Sequence, residues 1–273
     1  MSHSDDFETL DEARLTVRRE FADALRRAEL TTFESFFRDD AGTLLRDVGP
    51  RANIKLSLDI DGKKLCCFLK RHEPKCLLGW RVLPRPGRST TPARTEWENI
   101  ERLARLGIRT MRRAALGEDP ATGRSFLLTV EIPSALPADD YARTHFTTEE
   151  KCGARRALSR RIGELARRLH QAELTHRDLY LCHIFVRAVE DDFQLHLIDL
   201  QRVGPRRFLR RWKVKDLAQL EYSRKPGTFT RTDGVRFLHA YFDTGCLSTR
   251  EKRFIRSVLR KGKRMKRRGG GTP

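Results

Sequence analysis

No stretch of the 273-residue chain approaches the roughly 20 consecutive apolar residues that a membrane-spanning helix needs. The opening MSHSDDFETLDEARL is polar and acidic and lacks the apolar run of a secretory signal. Both absences point to a cytosolic protein. The six cysteines, Cys66, Cys67, Cys76, Cys152, Cys182 and Cys246, include no C-x-x-C and have no H-x(3–5)-H pair nearby, which excludes the usual zinc spacings. In a cytosolic chain they are expected as free thiols. There is no internal repeat, so a solenoid is excluded. Acidic residues are scarce: 37 Asp and Glu stand against 56 Lys and Arg, a net charge of +19. With 38% hydrophobic residues the body can still bury a core, and the length suits one large domain or two small lobes.

The basicity is local. Residues 250–268 hold eleven Lys or Arg and only Glu251 as an acid, a charge of +10. Residues 205–215 hold six cations (Arg206, Arg207, Arg210, Arg211, Lys213, Lys215) and no acid. The rest of the chain carries only +3. Such runs predict anionic partners: nucleic acid, an anionic membrane or a phosphorylated substrate. Nucleic acid is not expected, because no recognised nucleic-acid motif occurs and aromatics are not interleaved with the basic runs.

Along the chain, residues 5–29 space their apolar positions as one or two surface helices would. ANIKLSLDI alternates apolar and polar, turns at Asp61-Gly62 and continues into LCCFLKR, which predicts a β-hairpin. The Pro-, Gly- and Arg-rich stretch 81–93 reads as a loop. Thr95 opens a helix, with Glu98 at capping-box spacing and Trp97, Ile100, Leu103 and Leu106 on one face, and Gly107 stops it. SFLLTVEI (125–132) is a short strand, PSALPADD a linker, and 150–171 a long amphipathic helix. Helices are expected to about 262, with a frayed end after them. A hinge near 131–138 therefore separates strands and one helix from a mostly helical region.

His176-Arg177-Asp178 matches the H-R-D of a kinase catalytic loop, and 21 residues after Asp178 an apolar strand delivers Asp199 to a turn. Upstream, Lys70 ends a predicted strand and Glu96 lies in the following helix. Lysine, glutamate, H-R-D and a post-strand aspartate stand in the order of the kinase parts. Phosphoryl transfer asks a protein mainly to neutralise phosphate charge and align the nucleophile, which suits these residue types. Lys70 would contact nucleotide phosphates and Glu96 would hold it. Asp199 would bind Mg2+, and Asp178 would accept or orient the proton of the attacking hydroxyl. Glu131 marks the hinge where adenine would meet the backbone of about 131–133.

The linked motifs HRDLYLCHIFV, HLIDLQRV and RRWKVKDLAQLEYS, with TEWENIERLARLGI and FLKRH upstream, resemble the bacterial lipopolysaccharide core kinase family, which phosphorylates heptose or Kdo. The resemblance spans roughly 50–225. It implies an α+β, bilobal protein-kinase-like fold: an antiparallel-sheet N-lobe with one main helix and a mostly helical, compact C-lobe. The boundaries expected are an N-terminal helical segment 1–29, an N-lobe 30–132, a C-lobe 133–262 and a basic flexible tail 263–273. It further implies ATP and Mg2+, with Asp178 as catalytic base, Asp199 as metal ligand and Lys70 on the phosphates. His183 stands five residues after Asp178, where protein kinases place Asn, and would be a second metal-side ligand or orient the loop. Asp216 would brace the catalytic-loop backbone, and His176 would pack as a structural histidine. Tyr180 and Cys182 would pack the loop.

The chain departs from protein kinases in several places. No G-x-G-x-x-G precedes Lys70, and the nearest glycines are Gly42 and Gly49. D-F-G is replaced by Asp199-Leu200-Gln201, and no A-P-E follows. These gaps favour a glycolipid or small-molecule acceptor. Arg206, Arg207, Arg210 and Arg211 would engage an acidic lipid A–core acceptor, and the enzyme would sit on the cytosolic face of the inner membrane. Two rival readings remain: a kinase-like enzyme with a protein or other small alcohol as acceptor, and an inactive basic scaffold that binds anionic lipid.

Overall fold

The computed structural model describes residues 6–74, 76–77, 80–81, 91–146, 152–190 and 192–268. The chain forms two compact units, one from the residues up to Glu101 with Met111–Glu131, the other from Arg102–Thr110 with the residues from Ile132 onward.

The first unit is built on seven antiparallel strands. In chain order its elements are β1 (Phe7–Leu10), β2 (Leu15–Arg18), helix α1 (Arg19–Arg27), β3 (Thr43–Asp47), β4 (Arg51–Ile60), β5 (Lys63–His72), two short pieces β6 (Cys76–Leu77) and β7 (Trp80–Arg81), helix α2 (Pro92–Arg105), β8 (Arg112–Glu118) and β9 (Ser125–Val130). The sheet order is β1-β2-β8-β9-β5-β4-β3. The β4–β5 hairpin turns on Asp61 and Gly62, both at positive φ, as the Asp-Gly signal predicts.

Residues 1–29 are not a separate helical segment. Leu15 and Val17 alternate with Thr16 and Arg18, and both are fully buried, so LTVR follows a period of two and pairs with β8. Only Arg19–Arg27 is helical, and it is not a surface helix: Phe21, Ala22, Ala24 and Leu25 are buried. They cover one face of the sheet together with Phe33 and Phe36, against Ile54, Leu56, Leu58, Cys67 and Leu69. Helix α2 begins earlier than its apolar spacing suggests. Thr91 accepts from the Arg94 N–H and Pro92 occupies the first helical position, where its missing N–H costs nothing. Gly107, at φ 68°, ends it, and the Ile108 N–H reaches back to the Leu103 carbonyl. Most of the loop expected over 81–93 lies outside the described residues.

The second unit holds β10 (Leu136–Pro137), α3 (Ala138–His145), α4 (Cys152–Gln171), β11 (Leu174–Thr175), β12 (Ile184–Val189), β13 (Asp192–Leu197), β14 (Gly204–Pro205), α5 (Leu209–Ser223), α6 (Arg231–Phe242) and α7 (Thr249–Arg268). Two small antiparallel sheets, β10-β12-β13 and β11-β14, interrupt the helices. Part of the expected linker 133–140 is thus ordered as β10 and the start of α3. The flexible tail expected from 263 is also overturned as far as Arg268. Val258 and Gly262 are one turn apart and buried, and Gly262 packs beside Ala218 and Glu221 of α5. The dense charge of 260–268 masks this helical period. Among the described residues no helix is long and apolar enough to cross a membrane, and five of the cysteines are free thiols.

Candidate active site

In β5 the pleat puts Cys67 and Leu69 into the core and Lys70 on the opposite face. Lys70 sits mid-sheet, opposite Asn53 on β4 and Leu127 on β9. Its Nζ donates to both carboxylate oxygens of Glu96, at 2.9 and 2.8 Å. Glu96 is 0% exposed. Such a charge-assisted pair fixes a long, flexible side chain in one direction. Glu98, the rival at capping-box spacing, is exposed. The β3–β4 turn at Val48–Pro50 lies at the Lys70 end of the sheet, where the Glu73 N–H bonds the Pro50 carbonyl. Gly49 there has φ 75°. Glu131 closes the unit: its N–H bonds the Cys66 carbonyl at 2.9 Å while its side chain stays exposed.

In the second unit the loop Thr175–His183 is held from beneath by Asp216 on α5. Asp216 is 0% exposed and accepts the N–H groups of His176 (2.7 Å) and Arg177 (2.8 Å). His170 adds a third contact. A carboxylate can only accept, so Nε2–H of His170 points to Asp216 at 3.3 Å and Nδ1 accepts from the Tyr241 hydroxyl at 2.8 Å. Burial pushes the His170 pKa down despite Asp216, and pushes the Tyr241 phenol up. His176 is likewise buried and pushed down by desolvation, and its Nε2–H donates to the Ile198 carbonyl at 2.9 Å. Arg177 has φ 74°, a left-handed conformation that a non-glycine residue keeps only when its surroundings hold it. The Asp216 bond to its N–H and the Lys215 ammonium on its carbonyl do so.

This bracing presents Asp178. Its Oδ2 accepts from Nη1 of Arg202 at 2.7 Å, and Oδ1 lies 3.8 Å from Nζ of Lys215. Its carbonyl accepts from Nδ1–H of His183 at 2.7 Å. The β12–β13 hairpin pairs Ile184 with Leu197, so the chain returns beside its start: the Ile198 N–H bonds the His183 carbonyl at 3.0 Å and Asp199 emerges next. Asp199 also has a positive φ, 55°.

Asp199 supplies the hard carboxylate oxygen that Mg2+ prefers, and Mg2+ usually takes one or two carboxylates, its own waters and substrate phosphates. Among the described residues no three His, Cys, Asp or Glu side chains gather as a metal cage. The Asp199 carboxylate fits an Mg2+ that takes its remaining ligands from water and phosphate. His183 fits it poorly. Burial lowers its pKa, but the bonds its ring makes to Cys182 and to the Asp178 carbonyl, with the charges of Cys182 and Asp199, outweigh that and raise it to about 9. Its Nδ1–H is spent on the Asp178 carbonyl, and an imidazole nitrogen is a poorer Mg2+ ligand than an oxygen.

The four arginines expected on the acceptor side part company. Arg206 stacks on Trp212 at 6.0 Å, Arg207 on the exposed Phe208 at 5.6 Å and Arg210 on Phe254 at 5.8 Å, and Arg211 is exposed. Sequence reading gives no role to Arg202 or Trp212, and none beyond the motif to Lys215. Their only signal is membership of the I-D-L-x-R and R-W-x-x-K-D-L stretches. Elsewhere in this unit a cavity of about 520 Å³ is lined mainly by apolar side chains, among them Ile162, Leu217, Leu220, Phe237 and Val258.

The model of the lipopolysaccharide kinase (Kdo/WaaP) family matches residues 81–241. The chain is 30% identical over 231 residues to the lipopolysaccharide core heptose(I) kinase WaaP of Pseudomonas aeruginosa, covering 80% of each chain. It is 30% identical over 216 residues to the same-named kinase of Escherichia coli K12, covering 74% of this chain and 78% of that one. A solved structure described as WaaP in complex with acyl carrier protein shares the fold, with a TM-score of 0.67 and 27% identity over 94% of this chain and 100% of that chain.

Proposed function

This chain belongs to the lipopolysaccharide kinase (Kdo/WaaP) family, and from that premise we propose that it transfers the γ-phosphoryl group of ATP to a sugar hydroxyl, heptose or Kdo, of the lipopolysaccharide inner core. The observation that carries the reading is the Asp178 carboxylate, presented on a loop whose backbone is fixed by the buried Asp216. Asp178 acts as the base: Arg202 occupies Oδ2, so Oδ1 receives the hydroxyl proton as the oxygen attacks phosphorus. Lys70, steered by Glu96, neutralises the nucleotide phosphates. The backbone beside Glu131 takes the adenine edge. Asp199 would hold Mg2+, which would offset the charge of the transferring group. His183 orients the loop through the Asp178 carbonyl, and His176 and Asp216 support it.

The enzyme works on the cytosolic face of the inner membrane, held there by the cations of α7. Each Lys or Arg near an anionic surface contributes up to about 1 kcal/mol. Raised salt should therefore weaken membrane or acceptor binding more than ATP binding. The deciding experiment incubates the full chain with Mg-ATP and core glycolipid, beside Asp178→Ala. Phosphate transfer well above that control is expected, and its absence with every core acceptor would overturn the proposal.

A further inference from the structure

We propose that Arg177, Arg206 and Lys215, gathered around the Trp212 indole beside Asp178, bind an oxyanion of the acceptor, a phosphate monoester or a carboxylate. The inference rests on the sugar-kinase reading and adds which part of the acceptor is recognised, and by which residues.

Trp212 and Lys215 are three residues apart on α5 and so share a face. Arg177 comes from the catalytic loop and Arg206 from the segment entering α5. Their cationic groups lie 5.1 Å (Arg177), 6.0 Å (Arg206) and 5.6 Å (Lys215) from the indole centroid. The ring quadrupole attracts each cation, yet it accepts no guanidinium edge hydrogen. The Nε–H groups of Arg177 and Arg206 are buried with no acceptor among the described residues. A buried donor left this way costs free energy until a ligand arrives.

The charge balance points the same way. With Arg202, four cations surround two carboxylates. Asp178 is engaged by Arg202 and lies 3.8 Å from the Lys215 ammonium, which also donates to the Arg177 carbonyl, and Asp216 already accepts two backbone N–H groups and His170. Burial lowers the Arg177 pKa, and the nearby charges of Arg202 and Arg206 lower it further, a sign of like charges in close company. Planar guanidinium forks suit a carboxylate or phosphate, which can accept two parallel bonds. The site adjoins the carboxylate that receives the hydroxyl proton, so the bound oxyanion belongs to the molecule bearing that hydroxyl. Arg207 and Arg210 stack on other rings and take no part.

The test is steady-state kinetics of the full chain and its Arg206→Ala and Arg206→Lys variants. Three acceptors are compared: intact core glycolipid, the same after phosphatase, and the same after chemical reduction of its carboxylates. Arg206→Ala should raise the acceptor KM on the intact glycolipid at least about tenfold, with Arg206→Lys in between. Mg-ATP binding, read by calorimetry, should stay as in the wild type. The rise should vanish on one of the stripped acceptors, which identifies the group as phosphate or carboxylate. Orthophosphate should compete with the acceptor on the wild type and much less on Arg206→Ala. An unchanged KM, a rise retained on both stripped acceptors, or orthophosphate competing with ATP instead would overturn the inference. If the wild type transfers to no core glycolipid, the sugar-kinase reading fails, and the site is judged by calorimetry with orthophosphate alone. Binding lost in Arg206→Ala would then uphold it, and equal or absent binding would sink it.

Discussion

In the first unit a fully buried glutamate meets a lysine, and the charge of Lys70 is held in place before any ligand binds. In the second, Asp178 stands among Arg177, Arg202, Arg206 and Lys215, and the cations outnumber the carboxylates. The first arrangement is what a nucleotide site requires when the lysine must point one way: its partner costs desolvation but removes alternative rotamers. The second leaves positive charge unbalanced on a half-exposed surface, which suits a site completed by an anionic acceptor. In the proposed reaction the two regions divide the work, one preparing the donor and the other the acceptor.

The most severe test of this division is Asp178→Asn, which keeps the side-chain shape and removes the proton acceptor. The rate constant for transfer should fall about 10²- to 10⁴-fold, with Mg-ATP binding retained in calorimetry. A loss below tenfold would take the base away from Asp178. Next is Lys70→Met, expected to lower kcat/KM for ATP about 10²- to 10³-fold while leaving the acceptor KM nearly as it was. If Lys70→Met and Arg206→Ala disturbed donor and acceptor KM alike, the division of labour would break.

Much of this was legible in sequence because the kinase-like motifs come in order. Lys70 and Glu96 lie 26 residues apart, yet a lysine on a strand followed by a glutamate on the next helix, in the order of the kinase parts, pairs them. Asp178 and Asp199 follow from the same motif order, and Asp216 from the resemblance of the K-D-L stretch. The Trp212 cluster does not, because it is tertiary: it joins a loop, a linker and a helix face, and a run of six cations hides which of them share a ring. The N-terminal misreading has a local cause. Phe7, Leu10, Leu15, Val17 and Phe21 fit a loose helical spacing, but Asp11, Glu12 and Ala13 all take positive φ and turn the chain into a hairpin. A helix period cannot announce such a turn when no glycine marks it.

Beneath the second region, Asp216→Asn should cost about 1–3 kcal/mol in urea unfolding, because an amide replaces one oxygen that accepts a buried N–H. A change under 0.5 kcal/mol, on the order of a surface substitution, would mean that the loop is held by other contacts.

The smallest effect concerns pH and again belongs to the second unit. His170 and His176 are buried, and desolvation holds each imidazole pKa below its ordinary 6.5. His196 is pushed to about 4 by burial and by Arg109 and Arg187. The unfolded chain protonates all three near their ordinary pKa, whereas the folded chain resists until lower pH. Between about pH 6.5 and 4 the unfolded state therefore binds more protons, and stability falls as pH falls. The two buried histidines contribute at most about 1.4 kcal/mol per pH unit each. Asp119, Asp192 and Asp233 have lowered pKa values, so their contributions are lost only below the ordinary carboxylate range and stay outside this window. His183 acts in the opposite sense: its pKa is raised to about 9, so its contribution is present below 6.5 and fades as pH rises through 9. Urea unfolding at about pH 7, 6 and 5 should show stability dropping at each step, with a shallower drop in His196→Gln. Hydrogen exchange at the His176 and Arg177 amides should quicken in parallel, since their acceptor, Asp216, shares its contacts with His170. A stability that stays level from pH 7 to 5 would mean that these histidines are not held neutral, and that the catalytic loop rests on a charged foundation rather than on the neutral imidazoles inferred from its burial.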